Sequence, residues 1–432
     1  MKVGIISLGC AKNLVDTENM LGLLRQSDVE ITTDRNEADA IIINTCGFIE
    51  SAKSEAIETI LDVADLKQNH LKKLIVTGCL AQRYKPQLEE EMPEVDRFIA
   101  IEEYRQLGTI LSEELGIKIS NDYGLAPRML SGKPWMAYLS ISDGCFNRCA
   151  FCAIPLIRGN LKSRPMAEVI SEAKRLATEG VKELTLVAQD CTRYLFDVDG
   201  KPHLSELLKE LDKIEGIEWI RILYMYPDEM QDDLIETIAH SRHILPYFDI
   251  PTQHGSNAVL KRMRRKTSRE EILSRVNKIR KEIPDAVLRT TLITGFPEES
   301  LSEHEETVSL VKQIRWNHLG AFTYSREEGT AAYDMNDNVP QEEKERRRAE
   351  IMDLQDQIAQ SYLKDMTGRE ERVIVERVDP LTKMYVGRTW QQAPDNVDGV
   401  IRFHPLADHK PGEFVKVKIT KISGQNLIGE EI

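Results

Sequence analysis

The stretch DGCFNRCAFC, residues 143–152, carries Cys145, Cys149 and Cys152 in the spacing C-x3-C-x2-C. Three thiolates this close can hold three irons of a [4Fe–4S] cube and leave the fourth iron open to an exogenous molecule. A zinc knuckle and a group of ordinary free cysteines are the competing readings. Structural zinc wants a fourth protein ligand, and the next Cys or His after Cys152 is Cys191, at the end of another element.

Downstream, apolar runs alternate with helical patterns such as MAEVISEAKRLATEG and LSELLKELDKI. The runs are WMAYLSI (135–141), ELTLVA (183–188), WIRILYM (219–225), YFDI (247–250), AVLRTTLI (286–293) and HLGAFTY (318–324). Six buried strands with crossover helices predict an α/β fold, an open, partial (β/α)6 barrel over 135–366. In such barrels the chemistry sits at the carboxyl ends of the strands. Those ends carry Gln189-Asp190, Tyr226, Gln253-His254-Gly255-Ser256, Thr294-Gly295-Phe296-Pro297 and Tyr324-Ser325. Taken singly, Tyr226 and Ser325 read as satisfied turn residues and His254 as a core histidine. Their joint placement on one rim points to a site. The basic run KRMRRKTSR (261–269) reads first as a solvated helix face and second as a contact for a polyanion.

Upstream, VGIISL (3–8), AIIIN (40–44) and KLIVT (73–77) alternate with helical patterns near 14–26, 51–66 and 84–92. This predicts a second parallel sheet, over 1–120. Each run leads into a cysteine: Cys10, Cys46 and Cys79. Ligands of open α/β sheets collect outside the carboxyl ends of the strands, so three thiols distant in sequence can converge there. Gly9, Gly47 and Gly78 beside them allow sharp turns. Buried structural cysteines are the plainer alternative. The Gly-, Pro- and Ser-containing stretch 120–134 reads as a linker, which puts a boundary at 121–134.

Residues 341–366 form a long charged helical pattern. From 367 to 432 the runs RVIVERV, MYVGRT, GVIRFH and EFVKVKITKI predict a small antiparallel β-barrel. Residues 368–432 hold ten basic and ten acidic residues, a net charge of zero, so this barrel lacks the electrostatic footprint of a nucleic-acid module.

The whole chain of 432 residues has 57 basic and 71 acidic residues, a net charge of −14. That balance argues against broad binding to nucleic acid and suits a basic protein partner. Seven cysteines fit a disulfide framework poorly and suit metal ligation in a reducing compartment. The start, MKVGIISLGC, has an apolar run too short for a signal peptide. No stretch approaches the roughly 20 apolar residues of a membrane span. A cytoplasmic protein without a membrane partner is expected.

The cysteine motif, with Phe151 before its third thiol and after the first strand of six, resembles the radical S-adenosylmethionine (SAM) superfamily. The three-cysteine sheet ahead of it and the small barrel behind resemble the methylthiotransferases within it, which end in a TRAM domain. The likeness runs through SLGCAKNLVDTE (7–18), NTCGFIESAKSEAI (44–57), SDGCFNRCAFCAIPLIRG (142–159), VAQDCTRY (187–194), PTQHGS (251–256) and VGRTWQQAPDNVDG (386–399). Those segments are similar to the branch that modifies an aspartate of small-subunit ribosomal protein S-twelve, free or within the ribosome. Ala11 stands where that branch usually has Pro, Glu298 where Gly is common, and Cys191 where Thr is usual.

The resemblance implies two [4Fe–4S] clusters, on Cys10, Cys46 and Cys79 and on Cys145, Cys149 and Cys152, with SAM bound at the second. It implies that Gln189 and Asp190 contact the methionine amine, and that Gln253, Ser256, Thr294, Gly295 and Pro297 lie near the ribose and adenine, with Phe151 also at the cofactor. One SAM methylates a sulfur carried by the first cluster, and another yields the radical that opens the aspartate β-carbon. An electron donor such as flavodoxin or ferredoxin is implied.

Two other readings compete. A methylthiotransferase acting on an adenosine of transfer RNA would share both clusters, but the neutral terminal barrel counts against phosphate contacts. An iron–sulfur electron-transfer protein would have no use for the polar barrel rim.

Overall fold

The computed structural model describes residues 1–124, 127–395 and 397–432. Its first sheet has five parallel strands in the order β2-β1-β3-β4-β5: β1 Lys2–Ser7, β2 Glu30–Thr32, β3 Ala40–Thr45, β4 Lys73–Gly78 and β5 Arg97–Ile99. Two of these, β2 and β5, are only three residues long, too short to show a period, and were not expected from the sequence. Alternate residues of β3 feed opposite cores. Ile41 and Ile43 pack with Ala56, Ile60 and Leu80, while Ala40 and Ile42 pack with Met20, Leu23 and Leu111. A parallel sheet covered on both faces needs this near-continuous apolar run.

The helices α1 (Ala11–Arg25), α2 (Glu50–Ala64) and α3 (Cys79–Glu91) begin at or just beyond the strand-end cysteines. The sequence placed α1 and α3 several residues later. In α3 the reason is visible: the backbone is non-helical at Tyr84 and Pro86 follows. Only the half after that break carries the expected pattern, and Pro is tolerated there because it falls in a first turn.

The second sheet has six parallel strands in the order β13-β12-β11-β10-β9-β6. They are β6 Met136–Ser140, β9 Glu183–Val187, β10 Trp219–Ile222, β11 Ile244–Asp249, β12 Val287–Thr294 and β13 His318–Thr323. Between β6 and β9, a clip pairs β7 (Ser142–Asp143) antiparallel with β8 (Lys162–Ser163) and closes the cysteine loop at its base. One face of the sheet meets its helices through the largest core, which includes Leu184, Leu186, Ile220, Phe248 and Leu288. On the other face Val187, Leu223, Tyr247 and Val287 pack against Ile374, Ala393, Trp390 and Phe414. The C-terminal barrel therefore fills the open concavity of the partial barrel.

That C-terminal barrel closes as β14-β15-β16-β18-β17: β14 Glu370–Val378, β15 Tyr385–Thr389, β16 Ile401–His404, β17 Phe414–Ser423 and β18 Asn426–Glu431. Four of its pairings are antiparallel and one, β16 with β18, is parallel. The wholly antiparallel expectation is corrected here. The chain reaches β18 by a tight turn from β17, so β18 runs with β16 and closes the ring.

The stretch 120–134 includes Leu125 and Ala126, and the segment 386–399 includes Asn396; these three lie outside the described residues. The rest of 120–134 is more than a spacer. Arg128 is buried and pairs with Glu18 at 2.6 Å and Glu172 at 2.7 Å, joining the two sheets' helices.

Candidate active site

Asn13 clasps the first cysteine trio. Its side-chain amide donates to Leu8 O at 3.0 Å and to Thr45 O at 2.9 Å, and its Oδ1 lies 3.4 Å from Cys79 Sγ. One buried side chain thus ties the ends of β1, β3 and β4. Gly9 and Gly78 have φ of 89° and 96°, a region costly for any residue with a Cβ. A Cβ on Gly78 would meet Thr45 O at 2.5 Å. Cys10 stands at the N-cap position of α1; Cys79 opens α3, where the helix dipole favours a thiolate. Opposing it, burial pushes the Cys79 thiol up to about 12 and raises Cys46.

The second trio lies on the loop closed by β7 and β8. Cys145 N donates to Gly159 O at 3.1 Å, Ala150 N to Met263 O at 2.9 Å, and Ala332 N to Ala150 O at 2.7 Å. Gly144 has φ of 71°, and a Cβ there would stand 2.1 Å from Asn160 O. Burial pushes the Cys145 thiol up to about 12, against the pull of the Asn147 N–H. Thiols raised in this way must release protons to bind a metal.

The two trios adjoin. Cys79 packs on Ala153 and Ile157, in the segment just after Cys152. Arg158, on that same segment, reaches into the first trio. Its Nη2 lies 2.9 Å from Asn13 Oδ1, 2.7 Å from Asp16 and 3.9 Å from Cys79 Sγ, and its Nη1 lies 3.3 Å from Asp143. Lys12 crosses the other way, 2.6 Å from Ser140 Oγ and 3.3 Å from Asp143. Farther along the seam, buried Glu327 pairs with Lys53 at 3.2 Å and Arg83 at 2.9 Å.

Among the described residues no three Cys, His, Asp or Glu side chains already stand in a metal-holding arrangement. The trios are gathered without being drawn to ligand distance. The donor chemistry nonetheless fits iron–sulfur clusters: all six cysteines are free thiols, each trio has a guanidinium beside one sulfur, and Gln189 Oε1 is buried without a protein partner.

The expected SAM-contacting residues divide. Gln189 keeps a free acceptor. Asp190, buried, accepts from Asn147 Nδ2 at 2.7 Å and from Thr192, so it holds the cysteine loop; burial raises it to about 6. Gln253 takes φ of 70° and its backbone bridges β12, while Ser256 N donates to His254 Nδ1 at 3.0 Å. Thr294 donates to Lys344 O at 3.1 Å, Pro297 is buried, and a Cβ on Gly295 would strike Lys344 Cγ at 2.1 Å. Phe151 packs with Phe296 and Tyr324, which sets the turn 294–297 beside the cysteine loop.

Asn13, Arg158 and Arg265 were missed by sequence reasoning. The first two lie within quoted segments, but nothing local shows that Asn13 ties three strand ends together or that Arg158 crosses to the first trio. In the basic run, Lys261, Arg264 and Lys266 are exposed as a solvated face requires, but Arg262 pairs with Glu303 at 2.9 Å and Arg265 is buried against Cys149. Cys191 is fully buried in the main core.

Three family models match the chain: Uncharacterized protein family UPF0004 over 2–100, the Radical SAM superfamily over 139–311, and the TRAM domain over 367–432. Solved structures with the same fold include TsrM from Kitasatospora setae, a radical SAM methyltransferase with a [4Fe–4S] cluster bound. It has a TM-score of 0.54 at 13% identity and covers 77% of this chain and 76% of its own. A protein with this sheet and this cysteine loop is a radical SAM enzyme, with SAM and [4Fe–4S] clusters as its cofactors.

Full-length relatives narrow the class. The ribosomal protein uS12 methylthiotransferase RimO of Acetivibrio thermocellus is 47% identical over 446 residues, covering 100% of this chain and 98% of the relative. Those of Clostridioides difficile and Citrifermentans bemidjiense are each 44% identical and cover 98% of the relative. The chain belongs to the RimO family of radical SAM methylthiotransferases. An electron-transfer protein is thereby set aside.

Proposed function

We propose that this enzyme adds a methylthio group to the β-carbon of an aspartate in ribosomal protein uS12, the small-subunit S-twelve protein, free or within the ribosome. Cys10, Cys46 and Cys79 hold one [4Fe–4S] cluster; Cys145, Cys149 and Cys152 hold the second, where SAM binds. The observation that supports this most is the seam between the trios: Cys79 packs on Ala153 and Ile157, just after Cys152, and Arg158 from that same segment reaches Cys79 Sγ at 3.9 Å, so two adjoining sites can serve a single substrate side chain.

When bound, the clusters and SAM supply the radical that opens an unactivated C–H bond and the sulfur that replaces the hydrogen. The chain's own residues position them. Asn13 and Arg158 fix the first trio, and Asp190 fixes the second through Asn147. The free Gln189 oxygen accepts from the methionine ammonium. Gln253, Ser256, Thr294, Gly295 and Pro297 shape the adenosine end, and Phe151 supplies an apolar wall. The functional units are 1–120, 135–366 and 367–432, joined by 121–134. The net charge of −14 complements a basic ribosomal protein. Among the described residues no helix is long and apolar enough to cross a membrane, in keeping with a cytoplasmic place of action beside a flavodoxin or ferredoxin donor.

The test is mass spectrometry after anaerobic incubation with SAM, reductant and either uS12 or transfer RNA. The expected result is a gain on a uS12 aspartate equal to replacing one hydrogen by SCH3. The same gain on RNA alone overturns the substrate assignment.

A further inference from the structure

The basic run 261–269 contains a cation with an unusual position. Arg265 is 8% exposed, and its Nη1 lies 3.8 Å from Cys149 Sγ. Its Nη2 donates to Pro251 O at 2.8 Å, and its guanidinium lies 4.1 Å from the centre of the Tyr226 ring. The Tyr226 hydroxyl is itself 3.7 Å from Cys149 Sγ. Among the described residues Arg265 has no carboxylate within ion-pair distance, unlike Arg158, whose charge is met by Asp16 and Asp143. A guanidinium buried against a carbonyl, a ring face and a thiol, with Asp228 near but outside ion-pair distance, is costly. A negative charge on Cys149 would offset that cost.

We propose that Arg265 is a positioning residue whose charge, unpaired by any carboxylate in contact, sets the reduction potential of the Cys145/Cys149/Cys152 site. The inference rests on that trio holding a cluster. Cluster potentials follow net charge, hydrogen bonds to sulfur and solvent exposure. A fixed cation near Cys149 stabilises the form that has gained an electron from the donor, so it raises the potential. The π-face of Tyr226 holds the guanidinium in place. Arg158 stands equally near Cys79, but its two carboxylates cancel its field, so it links the trios and contributes little to either potential.

The experiment uses the full-length chain carrying C10A, C46A and C79A, reconstituted anaerobically so that iron can enter only the second site. Its reduction is followed by electron paramagnetic resonance in a mediated redox titration, with R265Q, R265K and R158Q added singly. R265Q is expected to disfavour reduction at least tenfold, about 59 mV for a one-electron couple. R265K keeps most of the parent potential, and R158Q shifts it less than R265Q does. Loss of iron in R265Q with retention in R265K also supports a role for the charge. An unchanged potential in iron-loaded R265Q contradicts the proposal, as does R265K behaving like R265Q, a shift in R158Q as large as in R265Q, or iron loss from both Arg265 variants. Failure of the parent chain to take up any iron would instead count against the cluster assignment itself.

Discussion

Arg388 Nη2 donates to Glu183 Oε2 at 2.6 Å, and neither side chain has any exposed surface. Arg388 belongs to the C-terminal barrel and Glu183 opens the second strand of the radical barrel. The pair extends to Arg221 Nε, 3.2 Å from Glu183, and to Glu376, which also holds Lys133 at 2.6 Å. Although burial works against it, Arg388 and then Arg221 hold the Glu183 carboxyl below its usual range. The C-terminal barrel is therefore fastened into the concavity by charge as well as by Trp390 and Phe414.

Removing one member of this pair leaves a buried charge uncompensated, which costs about 3–5 kcal/mol. E183Q and R388M should each lower the denaturant midpoint strongly. The double variant should be less destabilised than the sum of the two. Strict additivity would show that the network does not couple the domains.

Glu299 braces the turn 294–297. It accepts from the Phe296 N–H at 3.1 Å and lies 3.2 Å from Arg347 and 3.4 Å from His254. Burial opposes ionisation there, yet the His254 and His304 bonds and Arg347 hold the carboxyl well below the usual range. A lowered folded pKa gives stability that is present above the unfolded value, about 4.3, and is lost as pH falls below it. Urea midpoints of wild type and E299Q should differ clearly at pH 6 and converge below about pH 4. A gap that stays constant with pH would contradict this.

Asn13→Ala removes the clasp on the first trio and leaves the half-buried Leu8 carbonyl, the buried Thr45 carbonyl and the Cys79 thiol without it. A loss of about 1–3 kcal/mol is expected for an unsatisfied buried group. Iron per chain should fall by about half, since only one of two four-iron sites is affected. Full iron retention would show that Asn13 does not shape the site.

Two of the three departures from the family's usual residues, Ala11 and Glu298, have backbone explanations. Ala11 is the first residue of α1, a position that suits Pro because its N–H has no helical partner. Glu298 takes φ of 63°, which Gly adopts without strain. Ala11→Pro should stabilise by about 0.4–1 kcal/mol through the unfolded chain, read as a higher melting temperature with unchanged iron content. A lower melting temperature would mean that the helix entry is not compatible with the ring.

The strand-end cysteines are legible because buried parallel strands are long apolar runs and each leads, within three residues, to a thiol. The six-strand barrel was legible for the same reason. Short β2 and β5 carry no period, and the parallel closure of β16 on β18 depends on how the ring completes, which no local pattern encodes. Arg158 meets Asp16 across 142 residues, and Arg265 meets Cys149 across 116. A basic run looks the same in sequence whether one of its members is solvated or buried beside a sulfur. The motif alone suggests a ligand contact for Asp190, and only the fold reveals its bond to Asn147.

If both trios are cluster sites of one active centre, each holds its own four irons, and an anaerobic iron count decides it. Wild type should bind about eight irons, and the C10A/C46A/C79A and C145A/C149A/C152A chains about four each. A wild-type count of about four, unchanged when Cys10, Cys46 and Cys79 are replaced, would contradict it.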